Sequence, residues 1–387
     1  MMHYPLPDIE NSRRLALQLF AGAPATPTAG AQSPLILYGA GNLGNMALRL
    51  LQQLAIEVPY VVDRHPPASG QLLGVPVIVP EAVPVADRQN LRIGVCVVTA
   101  PYEPIRESLN AAGWRNVHPV YDLLQPHAAT TLMENGWFLP RPDSLALSQI
   151  LNLLDAWHDD CSRAAHLQFL AWRYARQEWM FDGAPVNVND RYFISEVVAA
   201  LGDKEYFIDA GAYDGSVTER FLKVMAGRKV QATLIEPDPV NRERLARRFA
   251  TNSEAAEIRL LDCVLDEQTG PGRFASGLDL GSRIHPSGIQ GTPAQALDDL
   301  GLRISFAKFH LEGHELPALR GSLATLRRER PILAVTVYHN ADGAWPTACF
   351  LAENLARYRL MMRLHGWCGT AAVLYAIPEE RLKRREA

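Results

Sequence analysis

Twice in this chain an apolar run stops at a glycine-bearing loop and gives way to a helix-like stretch. The first case is "LILYGAGNLG", residues 35–44; the second is "EYFIDAGAYDG", residues 205–215. Each reads as the strand–turn–helix corner of a βα unit. Two such corners in separate halves of a 387-residue chain predict two α/β domains. A hydrophobic fraction of 48% is ample for two cores, which excludes a disordered chain.

Apolar runs and helical stretches divide the rest into four regions. Residues 1–32, with the Ala/Pro/Thr-rich "AGAPATPTAGAQSP" near their end, read as a flexible lead-in. Residues 33–124 read as a Rossmann-like α/β domain of parallel strands. Residues 125–200 are rich in Leu, Ala and Trp and read as a helical linker or lid, with Trp157, Phe169, Trp172 and Trp179 as an aromatic face. Residues 201–387 return to βα alternation and end in "YRLMMRLHGW" and "AAVLYAIP", too close together for a crossover helix and therefore an antiparallel pair.

Net charge is −4 with mixed signs, and no long basic run argues for nucleic acid. The five cysteines contain no C-x-x-C spacing, against a disulfide framework or a zinc knuckle. Neither a signal pattern nor a membrane-length apolar run is present, so a cytoplasmic location away from the membrane is expected.

The two loops differ in chemistry. In the first, Gly39, Gly41 and Gly44 form G-x-G-x-x-G, and Asp63 ends the next strand. This spacing suits a nucleotide or nucleotide-sugar, or a purely structural turn. The second loop carries Asp209, Gly211, Tyr213, Asp214 and Gly215, with Glu236 at the tip of the following strand. Its carboxylates would repel a pyrophosphate. They would attract a ligand bearing an adenosine, an ammonium and a sulfonium, which describes S-adenosyl-L-methionine. On this reading Asp209 meets the ammonium, Glu236 the ribose and Asp262 the adenine amine, while Tyr192 and Phe193 cover the cofactor.

The stretch "KFHLEGHE" places Lys308, His310, Glu312 and His314 where a fourth strand should end, and His339 ends the fifth. Both ends fall on the carboxyl edge of the sheet, where ligands bind. His310 is the expected general base, with His339 second. No metal is required by that reading. The alternative makes His310, Glu312 and His339 three ligands of zinc or iron. His314 is expected at the surface or as a cap, because Gly313 breaks the alternation.

Residues from about 190 to 378 resemble the FkbM family of S-adenosylmethionine-dependent methyltransferases. The likeness rests on "FIDAGAYDG", "LIEPDPVNRERLARRF", "PAQALDDLG", "AKFHLEGHELPALRGS", "RPILAVTVYH" and "AAVLYAI" in order. It implies a class I methyltransferase fold, a mostly parallel seven-stranded sheet with an antiparallel last strand. It also implies O-methylation of a hydroxyl on a sugar, glycan or natural product; Lys308, His310, Glu312 and His339 are the expected catalytic residues. His310 departs from the family's usual Asp, so a magnesium role does not carry over. The N-terminal domain is similar, through "SGQLLGVPVIVPEA", to nucleotide-sugar-binding domains. A homodimer, a scaffold protein and an NAD enzyme are the other arrangements considered; the last lacks a hydride-transfer constellation in residues 1–130.

Overall fold

A computed structural model describes residues 1–27, 34–128, 135–250, 256–275, 283–284 and 289–382. The C-terminal half is built on a seven-stranded sheet. Its strands run, across the sheet, Ala256–Leu261, Lys229–Ile235, Lys204–Ala210, Phe306–Phe309, Ile332–Thr336, Ala372–Pro378 and Tyr358–Leu364. The first five are parallel, and Ala372–Pro378 is antiparallel to both its neighbours. The seven-residue connection between the last two strands closes the expected hairpin. Chain order reverses between Lys204–Ala210 and Phe306–Phe309, and ligands of open α/β sheets sit above such a switch point.

The N-terminal domain holds a second sheet, ordered Gln71–Leu72, Val75–Ile78, Val61–Val62, Leu35–Tyr38, Arg92–Val95 and Asn116–Pro119. All its pairings are parallel except the Gln71–Leu72 edge, which folds back on Val75–Ile78 as a tight hairpin. A reading of parallel strands alone misses that edge.

Residues 1–32 are not a lead-in throughout. Met2–Tyr4 pairs in parallel with Trp179–Phe181, and Ile9–Ala21 is a helix capped by the Asp8 carboxylate. Leu15, Leu19 and Phe20 of that helix enter the main core, where Phe20 meets Tyr174 edge-on at 5.0 Å. A three-residue strand whose partner lies far along the chain has no local pattern to announce it. Residues 28–33 of the Ala/Pro/Thr-rich segment lie outside the described residues.

The 125–200 region contains helices Ser144–Ala156 and Asp160–Ala175, each started by an Asp whose side chain accepts an amide of the first turn. Both helices cover one face of the catalytic sheet. Trp157, Phe169, Trp172 and Trp179 are all buried, so the aromatic face is packing and not a lid. Trp172 also joins Trp367 and Cys368 in the apolar cluster beneath the N-terminal sheet, and Trp367 donates its amide to Val98 O at 2.7 Å. The two sheets therefore share a core. A small sheet of Val264–Leu265, Gly270–Ala275, Arg283–Ile284 and Ile289–Gln295 follows the third catalytic strand. Its glycine- and proline-rich sequence carries no clear strand alternation, and it is absent from the sequence reading.

Candidate active site

At the switch point Asp209 and Lys308 stand in register on adjacent strands. Lys308 Nζ donates to Asp209 Oδ1 at 2.8 Å, to Gly211 O at 2.6 Å and to Ala210 O at 3.2 Å. Thr218 Oγ1 donates to Asp209 Oδ2 at 2.7 Å. Three acceptors use all three ammonium protons. Asp209 is fully buried. Its expected role toward a ligand ammonium is therefore corrected: the carboxylate is engaged inside the protein and does not line the cleft. Lys308, expected among the catalytic groups, is the brace that holds the glycine loop to the strand ends.

That loop is shaped by residues with left-handed backbone. Gly211 has φ 75°, and a Cβ there would lie 2.0 Å from the His310 carbonyl oxygen. Gly215 has φ 80°, and its Cβ would meet Leu245 and Phe249 below 3.0 Å. Between them Tyr213, φ 50°, turns its amide toward Glu236 Oε2 at 2.8 Å. Asp238 N donates to Glu236 Oε1 at 3.0 Å. Burial raises the Glu236 carboxyl pKa, and these amides pull it back. The Asn241 side chain also bonds to this carboxylate, which borders the cleft. Asp214 caps the following helix through Ser216 N at 3.0 Å and pairs with Arg248 at 3.3 Å. Asp262 is not brought to the site. Its carboxylate pairs with Arg242 at 2.5 Å on the exposed side of the strand end. Cys263, Val264, Leu265 and Phe274 instead form an apolar recess beside Glu236.

The motif "KFHLEGHE" bends sharply after its strand. Glu312 has φ 52°, unusual for a residue with a Cβ, and Gly313 follows at φ 96°. Glu315 holds this bend from beneath. Its carboxylate accepts Leu311 N at 2.9 Å, Gly313 N at 3.0 Å and Thr336 Oγ1 at 2.7 Å. It also meets His339 Nδ1 at 3.1 Å. The bend turns Glu312 inward, so that Oε1 lies 2.8 Å from His310 Nε2 and Oε2 lies 3.1 Å from His339 Nε2. The two imidazoles stack at 5.1 Å. His310, Glu312 and His339 thus come together as one cluster, its members contributed by two strand ends and one strained turn. His314 stays outside this cluster: it borders the apolar recess and pairs with Asp266 at 2.9 Å.

Burial lowers the His310 pKa to about 4, against the pull of Glu312. Burial also works against the charged forms of His339 and Glu312. There the mutual attraction wins, and Glu312, Tyr338 and Glu315 hold His339 well above its ordinary value. His339 and His310 hold Glu312 well below the usual carboxylate range.

Tyr192, φ 71°, reaches over the loop and places its hydroxyl 2.9 Å from His310 Nδ1. Arg191, just before it, is a site residue the sequence reading did not find. Its Nη2 donates to the Tyr338 hydroxyl at 2.9 Å, and its guanidinium lies over the rings of Tyr192 and Tyr338 at 4.9 and 5.3 Å. Its Nε is buried without a hydrogen-bond partner among the described residues. The only signal in the sequence is its place at the head of the aromatic pair Tyr192–Phe193.

Arg191, Tyr192, Tyr213, Glu236, Lys308, His310 and Glu312 border one cleft of about 650 Å³. Its far wall comes from the N-terminal domain, through Asn42, Asn45, Met46 and Arg49. They stand on helix Asn42–Gln53, which the Gly39–Gly44 loop starts. In that loop a Cβ on Gly44 would lie 2.0 Å from Gly39 O, whereas Gly41 faces open space. Asp63 is engaged by the loop itself, accepting Ala40 N at 2.7 Å and His65 N at 2.8 Å. The loop thus repeats the Tyr213–Glu236 arrangement of the catalytic half.

With this geometry in view, comparison with known proteins is informative. Residues 209–366 match the model of the methyltransferase FkbM domain. The crystal structure of methyltransferase FkbM from Methylobacillus flagellatus KT superposes with a TM-score of 0.62 at 18% identity, covering 95% of this chain and 100% of that one. The fold resemblance therefore extends across both domains. Among curated proteins no relative is found. No helix among the described residues is long and apolar enough to cross a membrane. The matched domain, the sheet order and the cleft at its switch point agree: residues 209–366 are similar to the methyltransferase FkbM domain, and the chain as a whole shares the fold of that solved structure.

Proposed function

We propose that the protein is an S-adenosylmethionine-dependent O-methyltransferase acting on a hydroxyl of a sugar, glycan or natural-product small molecule. One observation carries the reading. A single cleft joins a buried ribose-type carboxylate, Glu236, to a proton-accepting cluster, His310–Glu312–His339.

The residues present fit the cofactor. Glu236 borders the cleft as an acceptor for a ribose hydroxyl, and the recess of Cys263, Val264, Leu265 and Phe274 suits an adenine ring. Arg191, with its unpartnered Nε, suits the methionine carboxylate and takes the anchoring role that Asp209 does not fill. When bound, S-adenosylmethionine would supply a methyl group on a sulfonium, the C–S bond breaking as the acceptor oxygen's C–O bond forms. An alcohol is a weak nucleophile at pH 7, so a group that draws off its proton speeds the step. His310 and Glu312 border the cleft where such a hydroxyl would lie, and the released proton passes to the cluster. The polar wall of Asn42, Asn45 and Arg49 supports an acceptor that rests a glycosyl or nucleotide portion on the N-terminal domain.

The test is transfer of label from methyl-labelled S-adenosylmethionine to a panel of free sugars, nucleotide-sugars and glycosylated small molecules. Labelled ether product, lost in Glu312→Gln, is expected. Label appearing only on amine acceptors would move the reaction to nitrogen and overturn the hydroxyl assignment.

A further inference from the structure

We infer that His310, Glu312 and His339 bind a divalent transition-metal ion, with Glu315 as the outer carboxylate that orients His339. Three independent features point to it. First, one donor atom from each residue lies within 4.8 Å of the others. Zinc bonds of about 2.0–2.2 Å set tetrahedral donor atoms roughly 3.3 Å apart, so small side-chain movements suffice to close around an ion.

Second, each imidazole has its Nδ1 held by an oxygen and its Nε2 turned toward Glu312. For His339 the holder is Glu315 at 3.1 Å; for His310 it is the Tyr192 hydroxyl at 2.9 Å. A carboxylate or hydroxyl on the distal nitrogen is how proteins fix the tautomer of a metal-bound histidine. Third, His339 is 7% exposed, and its Nε2 makes no hydrogen bond among the described residues. Its 3.1 Å approach to Glu312 Oε2 is an ion-pair distance without hydrogen-bond alignment. The Tyr338 hydroxyl also lies 3.2 Å from His310 Nε2.

Two imidazoles and one carboxylate select zinc, iron(II) or cobalt(II) over magnesium and calcium, which take oxygen donors. Three protein ligands leave a coordination position open, and His310 and Glu312 face the cleft. An acceptor hydroxyl on the ion would lose its proton near neutral pH, so the metal would replace a simple imidazole base. That last role rests on the methyltransferase reading; the binding site itself does not.

The experiment uses the full chain, stripped with a chelator and desalted, then titrated with Co²⁺ and followed by visible absorption, with Zn²⁺ as competitor. A single equivalent should bind with the spectrum of a four- or five-coordinate nitrogen–oxygen site and be displaced by zinc. His339→Ala and Glu312→Gln should abolish the bands, and Glu315→Gln should weaken binding by about 10–100-fold. His118→Ala, in the N-terminal sheet, should leave the titration unchanged. Thermal melts separate lost ligands from lost fold, and Glu312→Asp, which keeps a carboxylate, should retain weakened binding. No uptake by folded wild type, or uptake unchanged in His339→Ala, overturns the metal site. S-adenosylhomocysteine titrated into the same metal-free sample tests the methyltransferase reading separately, since Glu236 and Arg191 need no metal.

Discussion

Asp209 and Lys308 face each other at 2.8 Å on neighbouring strands, both nearly inaccessible to solvent, and together they fasten the Gly211 carbonyl to the sheet. The carboxylate that opens the loop thereby serves architecture, and recognition passes to groups around it.

Breaking that pair strands a buried charge. Lys308→Met should cost about 3–5 kcal/mol in chemical denaturation. The double variant Asp209→Leu/Lys308→Met should recover part of this loss. A fully folded, equally stable Lys308→Met would show that the pair is not a brace.

Arg191 is expected to hold a carboxylate of the ligand. A charge-assisted hydrogen bond contributes about 1.5–3 kcal/mol, so Arg191→Ala should weaken S-adenosylhomocysteine binding by roughly 10–150-fold. 5′-Methylthioadenosine, which lacks the amino-acid portion, should bind the variant about as well as wild type. Calorimetry of both ligands provides the comparison.

The N-terminal wall should act on the acceptor. Arg49→Ala, which removes a cation from the far side of the cleft, should raise the acceptor KM while leaving cofactor affinity unchanged. An equal effect on both substrates would place Arg49 outside acceptor recognition.

Acid should destabilise the fold through His166. Its Nδ1 accepts from Trp157 Nε1 at 3.2 Å and its Nε2 meets Ala344 O at 2.7 Å, so the ring is held neutral. Burial lowers its pKa to about 4 from the ordinary 6.5. Between those values the unfolded chain binds a proton that the folded one refuses, so stability falls as pH drops through the window. The shift corresponds to roughly 3 kcal/mol. His166→Gln should flatten the pH dependence of the denaturation midpoint between pH 4 and 6.5.

Much of this architecture is readable along the chain. The parallel strands announce themselves as apolar runs ending at Gly, Asp, Glu or His, and the short gap before "AAVLYAIP" enforces the closing hairpin. Because strands of one sheet end at one edge, His310 and His339 could be expected near each other before any distance was known. Other features depend on partners far away in sequence. Asp209 is neutralised by a lysine on the adjacent strand, 99 residues on. Met2–Tyr4 becomes a strand only against Trp179–Phe181. Arg191 enters the cleft because Tyr192 and Tyr338 stack on it, a contact no local pattern carries.

The central claim is that the cleft above this switch point binds S-adenosylmethionine through Glu236. Isothermal titration of S-adenosylhomocysteine into wild type and Glu236→Ala tests it most directly. Saturable one-to-one binding by wild type, lost in a folded Glu236→Ala, is the predicted result. No binding by wild type, or equal binding by the variant, would contradict it.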